Sequence, residues 1–375
     1  RFGIEQSGSM FSLSANGQVQ YLDYRDDSYD DGFRGAFTGQ ALWTLMPERL
    51  EWTIENYLSL QPIDTFTAFS PGNEQQTNVF VTGPTLLLRA ADATRGQMDL
   101  RYTNSYAEEN ATFNSDRYSI AARVLHDLSS TRTISANLEA LQVRYESVVE
   151  EANYTRYDAY GRYWSQLRDV EMTIDLGYST LKYEGIRKDE SFPLTRANLG
   201  WQASPRSTLD LAMNYGFSDA AESMIMANNT GNPPVGTPPG SPSPPIVAGV
   251  YKERGIRLRY QFTGERLGFE LHPYYMRLDY LELANENEKD WGSYASISYR
   301  LRPRTTLQLA TLMKDRKFEA PVRRYRDTTS VISLENEFST HWIGRIESQR
   351  RERDSTTLGQ EYQENATIVS FSYRR

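Results

Sequence analysis

The stretch SPRSTLDLAMNYGF, residues 204–217, contains the pattern that decides the fold. Apolar residues stand at 209, 211, 213, 215 and 217, and polar residues such as Asp210 and Asn214 stand between them. Side chains alternate between the two faces of a β-strand, so a repeat of two residues separates an apolar face from a polar one. The stretch therefore predicts a strand that begins just after the turn at Pro205-Arg206.

The same alternation continues along the chain in both directions. Apolar residues occupy alternate positions within 11–19, 33–45, 98–106, 172–178 and 295–301, and the positions between them are mostly polar or charged. We find no convincing run at helical spacing. The sequence therefore predicts an all-β protein.

Short turns recur along the sequence and set the number of strands. Eight of them lie at residues 47–49, 93–95, 130–132, 166–168, 204–206, 264–266, 302–304 and 341–343, and seven contain an arginine. Successive turns are roughly 40 residues apart, which leaves room for two strands and one longer polar connection. Eight short turns and nine longer connections predict about 18 antiparallel strands, within a range of about 16–18.

Composition and turn pattern narrow the class of protein. The chain has 375 residues, 39% of them apolar, with 25 Tyr and no Cys, and its net charge of −8 disfavours a nucleic-acid partner. A soluble all-β protein and a β-propeller are alternatives, but a propeller blade holds four strands per repeat rather than two. Strict alternation of short turns and long loops is typical of outer-membrane barrels. We predict a transmembrane antiparallel β-barrel in the outer membrane of a Gram-negative bacterium.

The domain prediction follows from this architecture. Residues 1–375 form one barrel domain, with short periplasmic turns, long extracellular loops and a Pro-rich extracellular loop insertion at about 220–250. The part of the insertion at 231–246 cannot pair in a sheet because of its prolines. It is either a mobile surface loop or a lid folded into the pore mouth.

The polar face of a membrane barrel must enclose water, because lipid cannot satisfy charged side chains. The charges have mixed signs, which predicts a hydrated lumen without strong ion selectivity, and they could simply pair across strands. The candidate pore-lining residues are Arg123, Asp158, Arg162, Glu171, Asp175, Asp210, Arg257, Arg259, Glu270, Arg300, Glu335, Glu337, Arg345 and Glu347.

Two further groups of residues fit a membrane setting. Aromatic residues near the short turns predict girdles at the membrane interfaces; they are Trp43, Trp52, Tyr163, Trp164, Trp201, Tyr299 and Trp342. Basic clusters at 323–326 and 350–353 favour contact with the phosphates of lipopolysaccharide, and an acidic glycan is the alternative.

Catalysis finds little support in the sequence. His126, His272 and His341 lie far apart, and no nucleophile elbow, metal-ligand spacing or phosphate-binding glycine loop is present. The acidic loop at 26–31 lacks the spacing of a calcium motif. We therefore expect no catalytic residue, no metal and no cofactor, and we do not expect an enzyme.

The turn-to-strand unit Pro-Arg-Ser/Thr-Thr-Leu-x-Leu at Pro205–Leu211 and Pro303–Leu309 resembles the β-barrel porins found with exopolysaccharide biosynthesis systems. The Tyr-rich strand at Tyr154–Gly161 resembles them too, and the similarity extends over most of the chain. This resemblance implies an outer-membrane conduit that exports a secreted exopolysaccharide, and it brings no agreed binding residues.

Three functions remain open on the sequence. The first is that export conduit, with the polysaccharide cargo, periplasmic export components, outer-membrane lipid and lipopolysaccharide as its partners. The second is a general diffusion porin for small solutes, which shares every physical feature of the first. The third is a surface-exposed structural or adhesion barrel that binds partners with its loops.

Overall fold

The computed structural model describes residues 2–23, 31–64, 70–146, 153–184, 187–229, 249–282, 284–319 and 321–373. Within these residues nineteen strands form one sheet, and the only α-helix, α1, spans Ala220–Asn229. The first ten strands are β1 (Phe2–Ser7), β2 (Phe11–Leu22), β3 (Gly32–Met46), β4 (Leu50–Pro62), β5 (Glu74–Ala91), β6 (Thr94–Ala107), β7 (Ser115–Ser129), β8 (Arg132–Tyr145), β9 (Tyr154–Gln166) and β10 (Val170–Tyr183). The others are β11 (Glu190–Ser204), β12 (Ser207–Ser218), β13 (Tyr251–Thr263), β14 (Leu267–Tyr280), β15 (Glu288–Arg302), β16 (Thr305–Phe318), β17 (Arg323–Glu337), β18 (Trp342–Ser355) and β19 (Tyr362–Tyr373).

Each strand pairs antiparallel with the next one along the chain, from β1–β2 to β18–β19. All eight predicted short turns join such pairs, so the hairpin repeat is confirmed. The predicted number of about 18 strands is wrong by one. Phe2–Ser7 forms the additional strand β1, and its turn into β2 is closed by a hydrogen bond from the Gly8 N–H to the Phe11 carbonyl at 3.0 Å.

The registers separate a polar face of the sheet from an apolar one. Arg162 lies opposite Asp175, which in turn lies opposite Arg196, so these three residues of β9–β11 share one face. On the other face of β10, Leu176 and Tyr178 are exposed. The period-two pattern of the sequence therefore places charged and apolar side chains on opposite faces, as predicted.

The sheet curls around helix α1, which lies on the polar face. Ala220, Ala221 and Met224 pack in one cluster with Tyr57 of β4, while the Ser223 hydroxyl lies 2.6 Å from the Tyr251 hydroxyl of β13. In a flat sheet β4 and β13 would be about 43 Å apart, at about 4.8 Å per strand, and a ten-residue helix is only about 15 Å long. The polar face is therefore concave, and we call it the inner face.

The aromatic residues near the short turns divide between the two faces. Trp43, Trp201 and Trp342 are exposed on the outer face, as a membrane girdle requires. Trp164 is an exception, because it lies two positions from Arg162 on the inner face and its indole N–H donates to Glu171 at 3.4 Å. Its assignment to a girdle is wrong. Among the described residues, no helix has the length and apolar character needed to cross a membrane.

Candidate functional site: the inner face

All fourteen candidate pore-lining residues lie on the inner face, because the registers connect them at alternate positions through β7–β18. The face has two ends with different properties. We call the half next to the short turns the short-turn end and the half next to the longer connections the loop end.

Side chains at the short-turn end are open to solvent. Glu171, Asp210, Arg300 and Glu337 are all exposed on the inner face. Such a surface is hydrated and holds no packed core.

Towards the middle of the strands, the inner charges pair across the sheet. The Arg162 guanidinium donates two hydrogen bonds to Asp175, at 2.6 and 2.8 Å. Arg123 contacts both Asp99 and Glu139. The expectation that these charges pair across strands therefore holds for this part of the face.

At the loop end, buried ion pairs attach helix α1 to the sheet. Asp219, just before the helix, accepts a hydrogen bond from Arg117 of β7 at 2.6 Å and one from the Tyr154 hydroxyl of β9 at 2.5 Å. Glu222, in the first turn, accepts two hydrogen bonds from Arg156 of β9, at 2.6 and 2.7 Å. We call these contacts the α1 latch; they connect one helix to two strands that are distant from it in sequence.

The electrostatic environment keeps Asp219 ionised. Burial raises the pKa of Asp219, but the charge of Arg117 and the hydrogen bonds from Arg117 and Tyr154 outweigh burial, so the pKa lies below its ordinary value of 3.8. Asp219 also caps the helix, because its carboxylate accepts the Glu222 N–H at 3.0 Å.

Apolar packing reinforces the loop end. Val143, Leu181 and Phe192 belong to a buried cluster on the inner faces of β8, β10 and β11. Beside it, Arg187 and Glu282 join two of the longer connections by an ion pair at 2.7 Å. Burial raises the pKa of Glu282, despite the opposing effect of the nearby Tyr183 hydroxyl and of the Arg187 charge.

The start of the predicted insertion at about 220–250 is the helix α1, which the sequence interpretation missed. A signal was present: an N-capping Asp219 followed three residues later by Glu222 is typical of a helix start. Residues 230–248, which include the Pro-rich stretch 231–246, lie outside the described residues. The latch residues Arg117, Arg156, Asp219 and Glu222 were not among the predicted candidates.

The basic clusters predicted to contact lipopolysaccharide divide between the two faces. Arg324 and Arg326 lie on the outer face, where both form ion pairs with Asp315. Arg353 lies on the inner face with Asp327. Only part of each cluster can therefore face the surroundings of the barrel.

The histidines are not brought together. His126 and His341 are exposed, and His272 lies on the inner face 4.0 Å from Glu270. No group of three or more metal-ligating side chains occurs in the part of the chain that the structure describes. In the acidic loop, Asp26, Asp27 and Asp30 lie outside the described residues.

Comparisons with known proteins agree with this geometry. No family model and no curated protein matches the sequence. Among solved structures, the chain is similar to a mutant of the ferric enterobactin receptor PfeA from Pseudomonas aeruginosa (TM-score 0.52, 9% identity, 98% of this chain and 68% of that chain). It is also similar to the copper transporter OprC (TM-score 0.50, 11% identity, 97% and 67%) and to the apoprotein form of the FrpB iron transporter from Neisseria meningitidis (TM-score 0.50, 10% identity, 99% and 74%).

The chain has the fold of an outer-membrane β-barrel. This fold confirms the predicted outer-membrane location. At identities of 9–11% the likeness concerns the fold alone, so what these proteins transport does not extend to this chain.

Proposed function

We propose that the chain is an outer-membrane channel that serves as a conduit for export of a secreted exopolysaccharide. In this proposal the sheet closes between β1 and β19, the outer face contacts lipid, and the inner face encloses water. Barrels of about 16–18 strands leave an aqueous channel, and nineteen strands give a slightly wider one.

A single observation carries the proposal. Helix α1 contacts β4 on one side and β13 on the other, so the inner face surrounds a space wide enough for a helix and its side chains. The short-turn end of the same face is polar and exposed. A hydrated space of this width suits a hydrated polymer chain.

The position of α1 favours a gated conduit over the alternative of a free-running general porin. The latch holds the helix across the loop end, so passage requires that α1 moves aside. The resemblance of the turn-to-strand units to barrels found with exopolysaccharide biosynthesis supplies the cargo class. A surface-exposed adhesion barrel, the other alternative, gives no role to an exposed polar inner face.

The partners follow from the same arrangement. Outer-membrane lipid would contact the outer face, and Arg324, Arg326 and Arg350 on that face would bind lipopolysaccharide phosphates. Periplasmic export components would dock at the short turns. The proposal includes no catalytic step, metal or cofactor.

Liposome swelling with sugars of graded size tests the conduit. We expect slow swelling with the intact protein, and fast swelling with larger sugars after Arg156→Gln opens the latch. Fast swelling of the intact protein with small sugars would favour the general porin. A deletion strain that exports its polysaccharide at the normal rate would contradict the assigned cargo.

A further inference from the structure

The charged part of the inner face has an ordered arrangement in which acids lie beneath arginines. We call it the arginine arc; it runs over β6–β13 and consists of Arg101, Arg123, Arg162, Arg196 and Arg257. Each member contacts at least one carboxylate within 4.0 Å. The acids concerned are Asp99, Glu139, Asp175 and Glu253.

Two aspartates each form ion pairs with two arginines. Asp99 contacts both Arg101 and Arg123, and Asp175 contacts both Arg162 and Arg196. The ring of Tyr160 is close to both of the latter two arginines, with each guanidinium 5.7 Å from its centroid. This stacking fixes both cations by cation–π attraction.

The two signs of charge differ in exposure. The side chains of Asp99, Asp175 and Glu253 are only 8%, 2% and 3% exposed. Their partners remain open: the side chain of Arg162 is 37% exposed and that of Arg257 is 43% exposed. The formal charges nearly cancel, and Arg123 and Glu139 are equally exposed, at 24% each, but the most exposed charged side chains of the arc are those of Arg162 and Arg257.

This arrangement is not a general property of the inner face. One pair between β17 and β18 has the reverse order, because the Arg353 side chain is 7% exposed and its partner Asp327 is 27% exposed, whereas Arg345 on β18 is 36% exposed and its partner Glu347 is 20% exposed. In the middle of β15–β17 the inner positions are uncharged, as at Tyr294, Ala310 and Ser333. The arc therefore presents its most exposed arginines in the middle of the strands, while the exposed carboxylates Glu171 and Asp210 lie at the short-turn end.

We infer that the arginine arc makes the conduit selective for anions and that its cargo is an acidic polysaccharide, one that carries carboxylate, sulfate or phosphate groups. Guanidinium groups bind such anions through planar, charge-assisted hydrogen bonds. The buried acids Asp99, Asp175 and Glu253 orient the arginines and present little negative charge to the cargo. This inference rests on the proposed conduit and differs from the expectation of a lumen without strong ion selectivity.

Reversal potentials in planar bilayers under a KCl gradient test the inference. We expect chloride to be more permeant than potassium, and the double variant Arg162→Gln/Arg257→Gln to lower that permeability ratio by about twofold or more. Arg162→Lys/Arg257→Lys keeps the charge and should keep the ratio. Arg144→Gln, on the outer face of β8, is the matched control and should change nothing. Arg257→Gln alone replaces the double variant if the latter does not fold.

The cargo class is tested on the same bilayers with oligogalacturonate and a neutral maltooligosaccharide of equal length. We expect the acidic oligomer to block the current more often, and the arginine-to-glutamine variant to remove the difference. Equal block by both oligomers, or a channel with no anion preference, would overturn the inference while the conduit stands. A barrel that conducts neither as the intact protein nor with Arg156→Gln would overturn the proposed function itself.

Discussion

The loop end and the short-turn end of the inner face differ, although the same strands build both. Strand β10 shows the change: along its inner face Glu171 is exposed, Asp175 is buried under Arg162, and Leu181 is fully buried in an apolar cluster. The side chains thus change from hydrated to paired to packed over about 35 Å, at about 3.4 Å per residue. The inner face is therefore exposed at the short-turn end and packed at the loop end, and α1 belongs to the packed end.

Breaking the α1 latch should reduce the difference between the two ends more than any other change. Asp219→Asn leaves the buried Arg117 without its counter-ion, which costs about 3–5 kcal/mol. We expect α1 to detach and the single-channel conductance to rise several-fold. The folded-state pKa of Asp219 is lowered, so its contribution is complete above pH 3.8 and is lost as the pH falls through that lower pKa. An unchanged conductance in Asp219→Asn would show that α1 does not obstruct the loop end.

Removing apolar packing at the loop end should have the next largest effect, a loss of stability. Leu181→Ala leaves a cavity in the buried cluster, and we expect it to destabilise the fold by about 2–5 kcal/mol. Leu176→Ala, on the outer face of the same strand, leaves no closed cavity, because lipid can fill the space. We expect a loss of about 1 kcal/mol there. Urea unfolding from lipid vesicles measures both, and equal losses would contradict the assignment of the two faces.

The carboxylate of Glu282 gives the loop end a pH dependence of opposite sign to that of Asp219. Its folded-state pKa is raised above 4.5, so the folded protein binds the proton more readily than the unfolded chain. Stability should therefore rise as the pH falls from neutral through the raised pKa, and stay constant below 4.5. Hydrogen exchange of the loop end measures the change. Glu282→Gln should abolish it, and a slope that persists in that variant would assign the effect to another group.

Removing an ion pair at the short-turn end should have the smallest effect on stability and conductance. Arg206 and Glu265 lie in neighbouring turns 3.2 Å apart, and both side chains are more than half exposed. Exposed pairs contribute about 0–1 kcal/mol, so Glu265→Gln should leave stability and conductance almost unchanged. A conductance change as large as that of Asp219→Asn would mean that the short turns, too, control passage.

The parts of the fold that follow local rules were predictable from the sequence. Alternation at period two assigned Arg162 and Asp175 to one face, because the register of a hairpin preserves that parity. The tight turns were predictable as well, since Pro205-Arg206 and similar pairs interrupt long alternating runs. Strand β1 was missed because six residues give too few alternations to stand out.

The site depends on contacts that no local pattern encodes. Arg117 and Asp219 are 102 residues apart, and only the curvature of the sheet brings them to 2.6 Å. The exposure of Arg257 above the buried Glu253 likewise arises from packing between strands. Sequence alternation predicts which face of the sheet a charged side chain occupies, but not how exposed that side chain is.

Single cysteines in strand β12 test the central claim that the inner face encloses water while the outer face meets lipid. The chain has no cysteine of its own, so each variant reports on one position. In proteoliposomes, we predict that cysteines at Ala212 and Asn214 react with a membrane-impermeant thiol reagent, while those at Leu211 and Met213 do not. Equal labelling at the inner-face and outer-face positions would contradict the account, because it would place water on both faces of the sheet.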